Sequence, residues 1–404
     1  MEKALEGVRV LSCTHVHAGP FCGKILAELG AEVIKVEPPE GEFTRYLVPL
    51  MYKGENYFIM HLNDNKKFVT LNLKNEKGKK IFMDLVKKSD VFLESYTPGT
   101  LDRLGVGYEK QKEVNPSIIY ASISGYGYTG QSKDLPGQDY TAQARSGIMT
   151  VTGFPESPPV LSAHGVTDHL AAIYTALAIL IAIRHREKTG RGQRIDMSLF
   201  DAAVDFLCEY SARYIVEGVP PTRNGNKGIY GGCNTYETKD GHILIYYIMT
   251  WENMLRAMGR EDLIESTRYT LHKIISSSDF NRMLKQYDGL VQEFDSMIQE
   301  WVKTKTKKEA NDLLSKEGVL CAPVQTIDEM FKDPQVSARN LFVDVEHPTV
   351  GKVKIPRAPL NLSETPSRVE WPGCPLGYHN EEVYGKLLGY TKEEITELRK
   401  TGVI

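Results

Sequence analysis

Short apolar runs alternate with helical periodicity through the first half of the chain. Val8-Arg9-Val10-Leu11-Ser12 reads as a buried strand, Gly19-Pro20 as a turn, and Ile25-Leu26-Ala27-Glu28-Leu29 as a helix that Gly30 ends. The strand pattern returns at Glu32-Val33-Ile34-Lys35-Val36-Glu37, at 68–73, at 90–94 and at 118–123. Strands separated by helices pair in parallel through crossovers, so the pattern predicts an α/β fold with a Rossmann-like large domain. Ligands in such folds sit beyond the carboxyl ends of the strands, which directs attention to 12–20, 37–45, 72–75, 94–104 and 122–130. The most apolar helix follows His164-Gly165-Val166-Thr167-Asp168. It runs through fourteen apolar or small residues, 170–183, to a basic last turn and a stop at Gly190.

The pattern changes near 218–235, a Gly/Pro/Asn-rich stretch ending Gly231-Gly232-Cys233. Tyr236–Ile245 then reads as a hairpin turning at Asp240-Gly241, and helices dominate to about Glu317. The expected organisation is a large domain over 1–205 completed by 350–404, a small α+β domain over 226–325, and linkers at 206–225 and 326–349. A last helix is expected at 381–400.

Composition narrows the function classes. With 404 residues, 41% hydrophobic, 25% charged and a formal charge of −3, the chain reads as an ordinary soluble enzyme, not a nucleic-acid or anionic-membrane binder. The start Met1-Glu2-Lys3-Ala4 lacks a secretory signal, and the 170–183 run reads as a buried helix too short to span a bilayer. Six scattered cysteines without a C-x-x-C pair suit a reducing cytoplasm, and ten histidines without H-E-x-x-H spacing argue against a metal. Thr14-His15-Val16-His17-Ala18-Gly19-Pro20 stands where G-x-G-x-x-G would be, so a nicotinamide cofactor is disfavoured.

The chemistry turns on Asp168. An acid at a helix start caps orphan N–H groups. The same helix N-terminus keeps a carboxylate ionised, and an ionised carboxylate in a cleft attacks activated acyl groups. The local sequence supports both readings.

Several strings, in order and nearly end to end, resemble the family III CoA-transferases, whose members include formyl-CoA transferase and carnitine CoA-transferase. They are Thr14–Pro20, Ala27–Pro38 (A-E-L-G-A-E-V-I-K-V-E-P), Leu101–Gly105 (L-D-R-L-G) and Glu187–Asp196 (E-K-T-G-R-G-Q-R-I-D). The resemblance implies an acyl-CoA:carboxylate CoA-transferase with Asp168 as nucleophile. Asp168 attacks the donor thioester to give a mixed anhydride, CoA converts this to an aspartyl-CoA thioester, and an acceptor carboxylate collects the CoA. The coenzyme A thioester is then a substrate, with no permanently bound cofactor. The partners implied are a small carboxylic acid and a second copy of the chain, each subunit a ring interlocked with the other.

By the same resemblance Asp139 matches an acidic active-site position, or is an ordinary loop Asp. Gln138 stands where related α-methylacyl-CoA racemases carry a His. An amide shuttles no proton near neutrality, which favours transferase over racemase. His17 replaces a glutamine of the formyl-CoA enzyme, as an acceptor-binding group or a turn-stabilising His. His15, Ala18, Lys74, Tyr96, Arg103 and Leu104 match CoA-binding positions, although a family lysine is Pro136 here. Gly231-Gly232 is a lid over the thioester or a linker turn. The T-H-x-H-A-G-P opening resembles members exchanging CoA between 2-hydroxy acids and enoyl-CoA in fermentation, phenyllactate or 2-hydroxyisocaproate for example. Carnitine/butyrobetaine exchange is the neighbouring alternative.

Overall fold

The computed structural model describes residues 2–228, 231–275 and 280–404. Six strands form a parallel sheet: β1 (Arg9–Cys13), β2 (Glu32–Glu37), β3 (Lys66–Thr70), β4 (Val91–Glu94), β5 (Ile119–Ser124) and β6 (Arg194–Ser198), in the order β3-β2-β1-β4-β5-β6. The register sets Val10 beside Val33 and Val91, and Val91 beside Ile119. Because side chains alternate along a strand, these residues share one face with Leu93 and Ala121, while Leu11, Ile34, Phe92 and Tyr120 share the other. The sheet is therefore buried on both sides, as parallel sheets are.

Helices α1 (Ala18–Glu28) and α4 (Val166–Thr189) cover the first face through Leu26, Ala171, Ala172, Ala176 and Ile179. The second face is covered by α2 (Glu76–Lys87) and by the carboxyl-terminal helix Lys392–Lys400, through Ile81, Phe82, Ile395 and Leu398. Two shorter helices complete the site's frame: α3 (Asp139–Ser146) and α5 (Leu199–Phe206).

The structure departs from the sequence pattern in several places. Gly19 and Pro20 are not a turn: α1 begins at Ala18 and Pro20 lies in its first turn, where a missing N–H is no loss. The apolar run extends to a 24-residue helix, long and apolar enough by composition to cross a bilayer, with half of its most apolar window packed inside the protein. The expected linker 206–225 carries a helix, α6 (Cys208–Glu217), and 326–349 carries Ile327–Lys332, Pro334–Ala338 and the strand Phe342–His347. The last expected helix is two pieces, a π-helical Glu382–Leu387 and Lys392–Lys400, separated by Gly389 at φ 80° and re-capped by Thr391.

The chain divides into two compact units, one comprising residues up to Met149, Leu161–Pro220 and Pro334–Ile404, the other Thr150–Val160 and Pro221–Asp333. In the second unit the expected hairpin forms from β7 (Cys233–Thr238) and β8 (Gly241–Tyr246), with β9 (Leu320–Pro323) antiparallel on the free edge of β8. Ile243 and Ile245 pack there against Phe294, Ile298 and Leu314.

Candidate active site

Chain order reverses between β1 and β4, and the loops leaving these neighbours diverge at their carboxyl ends. A cleft of about 460 Å³ opens there, lined by 15–18, 95–98, 123–125 and part of 133–141, with His164, Asp168 and Leu199. Every lining residue belongs to the first unit.

The loop after β1 is held from beneath by buried charge. Lys35 Nζ donates to the Thr14 carbonyl at 2.7 Å and pairs with Glu42 at 2.6 Å, while the other Glu42 oxygen accepts from the Val16 N–H at 3.1 Å. Val16 has φ 62°, a left-handed conformation costly for a β-branched residue. The Lys35–Glu42 pair enforces this bend and turns His17 into the cleft. Neither Lys35 nor Glu42 was a sequence candidate; a lysine inside the apolar strand Glu32–Glu37 was the available signal.

Asp168 is the third residue of α4, 8% exposed, and among the described residues its carboxylate makes no hydrogen bond. It does not cap its own helix. Asp139 does so from α3: its Oδ2 accepts from Gly165 N–H at 3.0 Å, and its Oδ1 from Thr167 N–H at 2.9 Å and the Thr167 hydroxyl at 2.8 Å. Gln143 Nε2 also donates to Asp139 Oδ2, at 2.8 Å. Asp139 is thus neither a loop residue nor a group free to take substrate, because both oxygens are engaged.

Burial, reinforced by the Asp139 charge, pushes the Asp168 carboxyl up to about 7. The sequence led us to expect a fully ionised carboxylate at neutral pH; the low-dielectric setting and a second acid oppose that.

His17 Nδ1 lies 3.9 Å from Asp168 Oδ2, beyond hydrogen-bond range. Among the described residues neither ring nitrogen of this buried imidazole has a hydrogen-bond partner. Burial first, then the charges of His169 and His164, lower its pKa to about 4 against the opposing pull of Asp139, so the ring is neutral at pH 7 and the contact is not an ion pair. Gly165, at φ 80°, admits the ring: a Cβ there would stand 2.7 Å from His17 Cε1.

His15 and Tyr96 face each other at 5.1 Å, with Ser95 Oγ accepting from His15 N–H at 3.0 Å. Tyr140 OH bonds His164 Nδ1 at 2.8 Å. Gln138 lines the cleft, its N–H donating to Thr141 Oγ1 at 3.0 Å. Among the described residues no trio of His, Cys, Asp or Glu is arranged for a metal.

The structure therefore gathers His15, His17, Ala18, Tyr96, Gln138, Asp139 and Asp168 in one cleft. Lys74, Arg103 and Leu104 do not line it: Lys74 is exposed beyond β3, Arg103 Nη2 donates to Thr100 Oγ1 at 3.0 Å, and Leu104 packs on the second face of the sheet. Gly231 and Gly232 belong to the other unit, where both adopt left-handed conformations and Gly232 packs so closely that a Cβ would meet Ile248 Cβ at 2.6 Å.

A profile of the family described as CoA-transferase family III matches residues 5–380. The formyl-CoA:oxalate CoA-transferase of Streptomyces coelicolor is 33% identical over 422 residues, covering 100% of this chain and 99% of the relative. The succinyl-CoA–D-citramalate CoA-transferase of Chloroflexus aurantiacus is 32% identical over 407 residues, covering 100% of this chain and 98% of the relative. Among solved structures, a CaiB/BaiF family protein from Brucella suis superposes with a TM-score of 0.81 at 28% identity, covering 96% of this chain and 100% of that one.

Proposed function

The chain belongs to CoA-transferase family III, and from that premise we propose that it moves coenzyme A by covalent catalysis on Asp168, between a 2-hydroxy acid and an enoyl-CoA. The carrying observation is the Asp168 carboxylate, unbonded among the described residues, in the cleft beside His17. Its oxygen attacks the thioester carbonyl carbon, the C–S bond breaks, and CoA thiolate leaves an acyl–aspartyl anhydride. The thiolate attacks the aspartyl carbonyl, releasing the donor's carboxylate and forming an aspartyl-CoA thioester. The acceptor carboxylate reverses the two steps and regenerates Asp168. Each step exchanges one activated acyl for another, which divides a hard transfer into nearly balanced ones.

The acceptor class rests on the cleft's charges. Among the described residues its lining holds two carboxylates, Asp139 and Asp168, and one permanent cation, Lys133, which favours an acid with a single carboxylate. Neutral His17 offers one N–H and one lone pair, the complement of a hydroxyl that both accepts and donates. Of the relatives' named acids, citramalate carries a hydroxyl beside a carboxylate and oxalate does not.

A second copy of the chain as partner is supported by the outer face of α4, where Ile173, Leu177 and Ile181 recur every four residues at 52–59% exposure.

Intact-protein mass spectrometry after incubation with acyl-CoA thioesters, trapped with hydroxylamine or borohydride, tests the reading. An adduct on Asp168 that disappears in Asp168→Asn is expected, with turnover restricted to 2-hydroxy monocarboxylates in an acceptor panel. Solvent deuterium entering the α-carbon without any adduct would instead make the chain a racemase.

A further inference from the structure

Two acids stand at the mouth of α4, and only one is left free. The helix starts on Gly165, which has no side chain to satisfy the orphan N–H groups of the first turn. Asp139, the first residue of α3, satisfies two of them across the intervening loop, taking Gly165 N–H on one oxygen and Thr167 N–H and hydroxyl on the other. Gln143, one turn along α3, ties the arrangement together. Its amide nitrogen donates to Asp139 Oδ2, and its Oε1 accepts from the Ser162 N–H and hydroxyl, each at 3.0 Å. One carboxylate thereby meets the partial positive charge of two helix starts, which is how a 3% exposed acid is accommodated.

We propose that Asp139 is the positioning residue of this site: by capping α4 from α3 it relieves Asp168 of the capping role and leaves the Asp168 carboxylate unbonded toward substrate. This rests on the reading of Asp168 as nucleophile. Had Asp168 capped its own helix, its lone pairs would be held by backbone N–H groups and its nucleophilicity lowered. Asp139 also acts through space, because a fixed negative charge on the neighbouring helix opposes ionisation of Asp168 and keeps its carboxylate basic. The titratable groups around the pair are His17 at the start of α1, His164 before α4 and His169 on α4; their rings lie 5.7 Å and 4.7 Å from His17.

The test compares wild type with Asp139→Asn, which keeps shape and loses charge, and Asp139→Glu, which keeps charge. The kcat/KM profile against pH is recorded for each, with the melting temperature. In Asp139→Asn the acid limb is expected to move down by about one pH unit as Asp168 ionises more easily, with kcat reduced; Asp139→Glu returns the limb towards the wild-type position. A melting temperature that falls while the limb stays in place would reduce Asp139 to a structural cap and overturn the proposal.

If Asp139→Asn does not fold, the infrared carboxylic-acid band of wild type serves instead. Buried Asp64 also holds a proton near neutral pH, so the proposal expects the band that grows as pH falls through neutrality to lose intensity in Asp168→Asn relative to wild type, and an undiminished band would overturn it. The two readings fail separately. No trapped adduct on Asp168 removes the nucleophile, whereas an adduct with an unmoved limb removes only the positioning role.

Discussion

Replacing Asp168 by Asn is expected to abolish transfer and, at alkaline pH, to stabilise the protein. The carboxyl rises from 3.8 to about 7 in the fold, mainly because burial penalises its charge. At about 1.4 kcal/mol per pH unit, ionising this side chain in the native state costs about 4 kcal/mol more than in the unfolded chain. The sign follows from linkage. Below about pH 4 both states hold the proton and there is no penalty. As pH climbs towards 7 the unfolded chain releases its proton and the native chain does not, so stability is lost, and the loss levels off above the native value. The side chain is 11% exposed, so solvent screening is small.

Asn carries no charge and escapes the pH-dependent loss, but it buries an amide without a partner, at about 1 kcal/mol. The advantage of Asp168→Asn over wild type is therefore expected to grow by about 3 kcal/mol between about pH 5 and about pH 8. Denaturant melts of both proteins across that range, followed by tryptophan fluorescence, measure the difference. A gap between the two curves that is the same at both ends would refute the argument, because a carboxylate ionised throughout contributes no such slope.

Gly165→Ala puts a Cβ 2.7 Å from His17 Cε1 on a backbone at φ 80°, so a loss of about 1–3 kcal/mol is expected, with His17 displaced and kcat reduced. Unfolding and steady-state kinetics measure both, and a variant of wild-type activity would mean the ring does not need that space. Leu177→Glu places a charge on the exposed stripe of α4. If a second copy covers the stripe, dimer dissociation should rise at least a hundredfold by sedimentation, since an unpaired buried charge costs about 3–5 kcal/mol; an unchanged sedimentation coefficient would place any partner elsewhere.

The sheet was legible because its strands are buried on both faces and read as near-continuous apolar runs. Only β6 escaped: Arg194-Ile195-Asp196-Met197-Ser198 is half exposed at the sheet edge and alternates too weakly to stand out. Asp168 was legible as a candidate but its local role was not. Capping is normally settled within three residues, and here it is settled by Asp139 across a loop. The short helix bearing Asp139 has little apolar periodicity of its own, so the residue read as part of a loop. The Lys35–Glu42 support was hidden for a similar reason, since a strand lysine is ordinarily solvated and this one is buried against the loop after β1 and Glu42, which lie outside its own strand.

The site follows from how closely two helices approach on one face of the sheet. Ala171, Ala172 and Ala176 give α4 a flat, small-residue face towards α1, and Gly19 lets α1 start against the β1 loop, where a Cβ would meet Thr14 at 2.6 Å. The two N-termini then converge, one delivering His17 and the other Asp168, 3.9 Å apart. Helix starts in one cleft concentrate partial positive charge, which in the proposed reaction would attract an anionic thioester and stabilise the oxyanion of a tetrahedral intermediate. The same field would hold Asp168 fully ionised and less nucleophilic if nothing opposed it. Burial raises the Asp168 carboxyl most, and Asp139, which takes two N–H groups of that helix start, adds a negative charge beside it. In the proposed reaction the cleft thus offers the uncapped start of α1 to the substrate and a carboxylate basic enough to attack it, an arrangement a lone acid at a helix start does not provide.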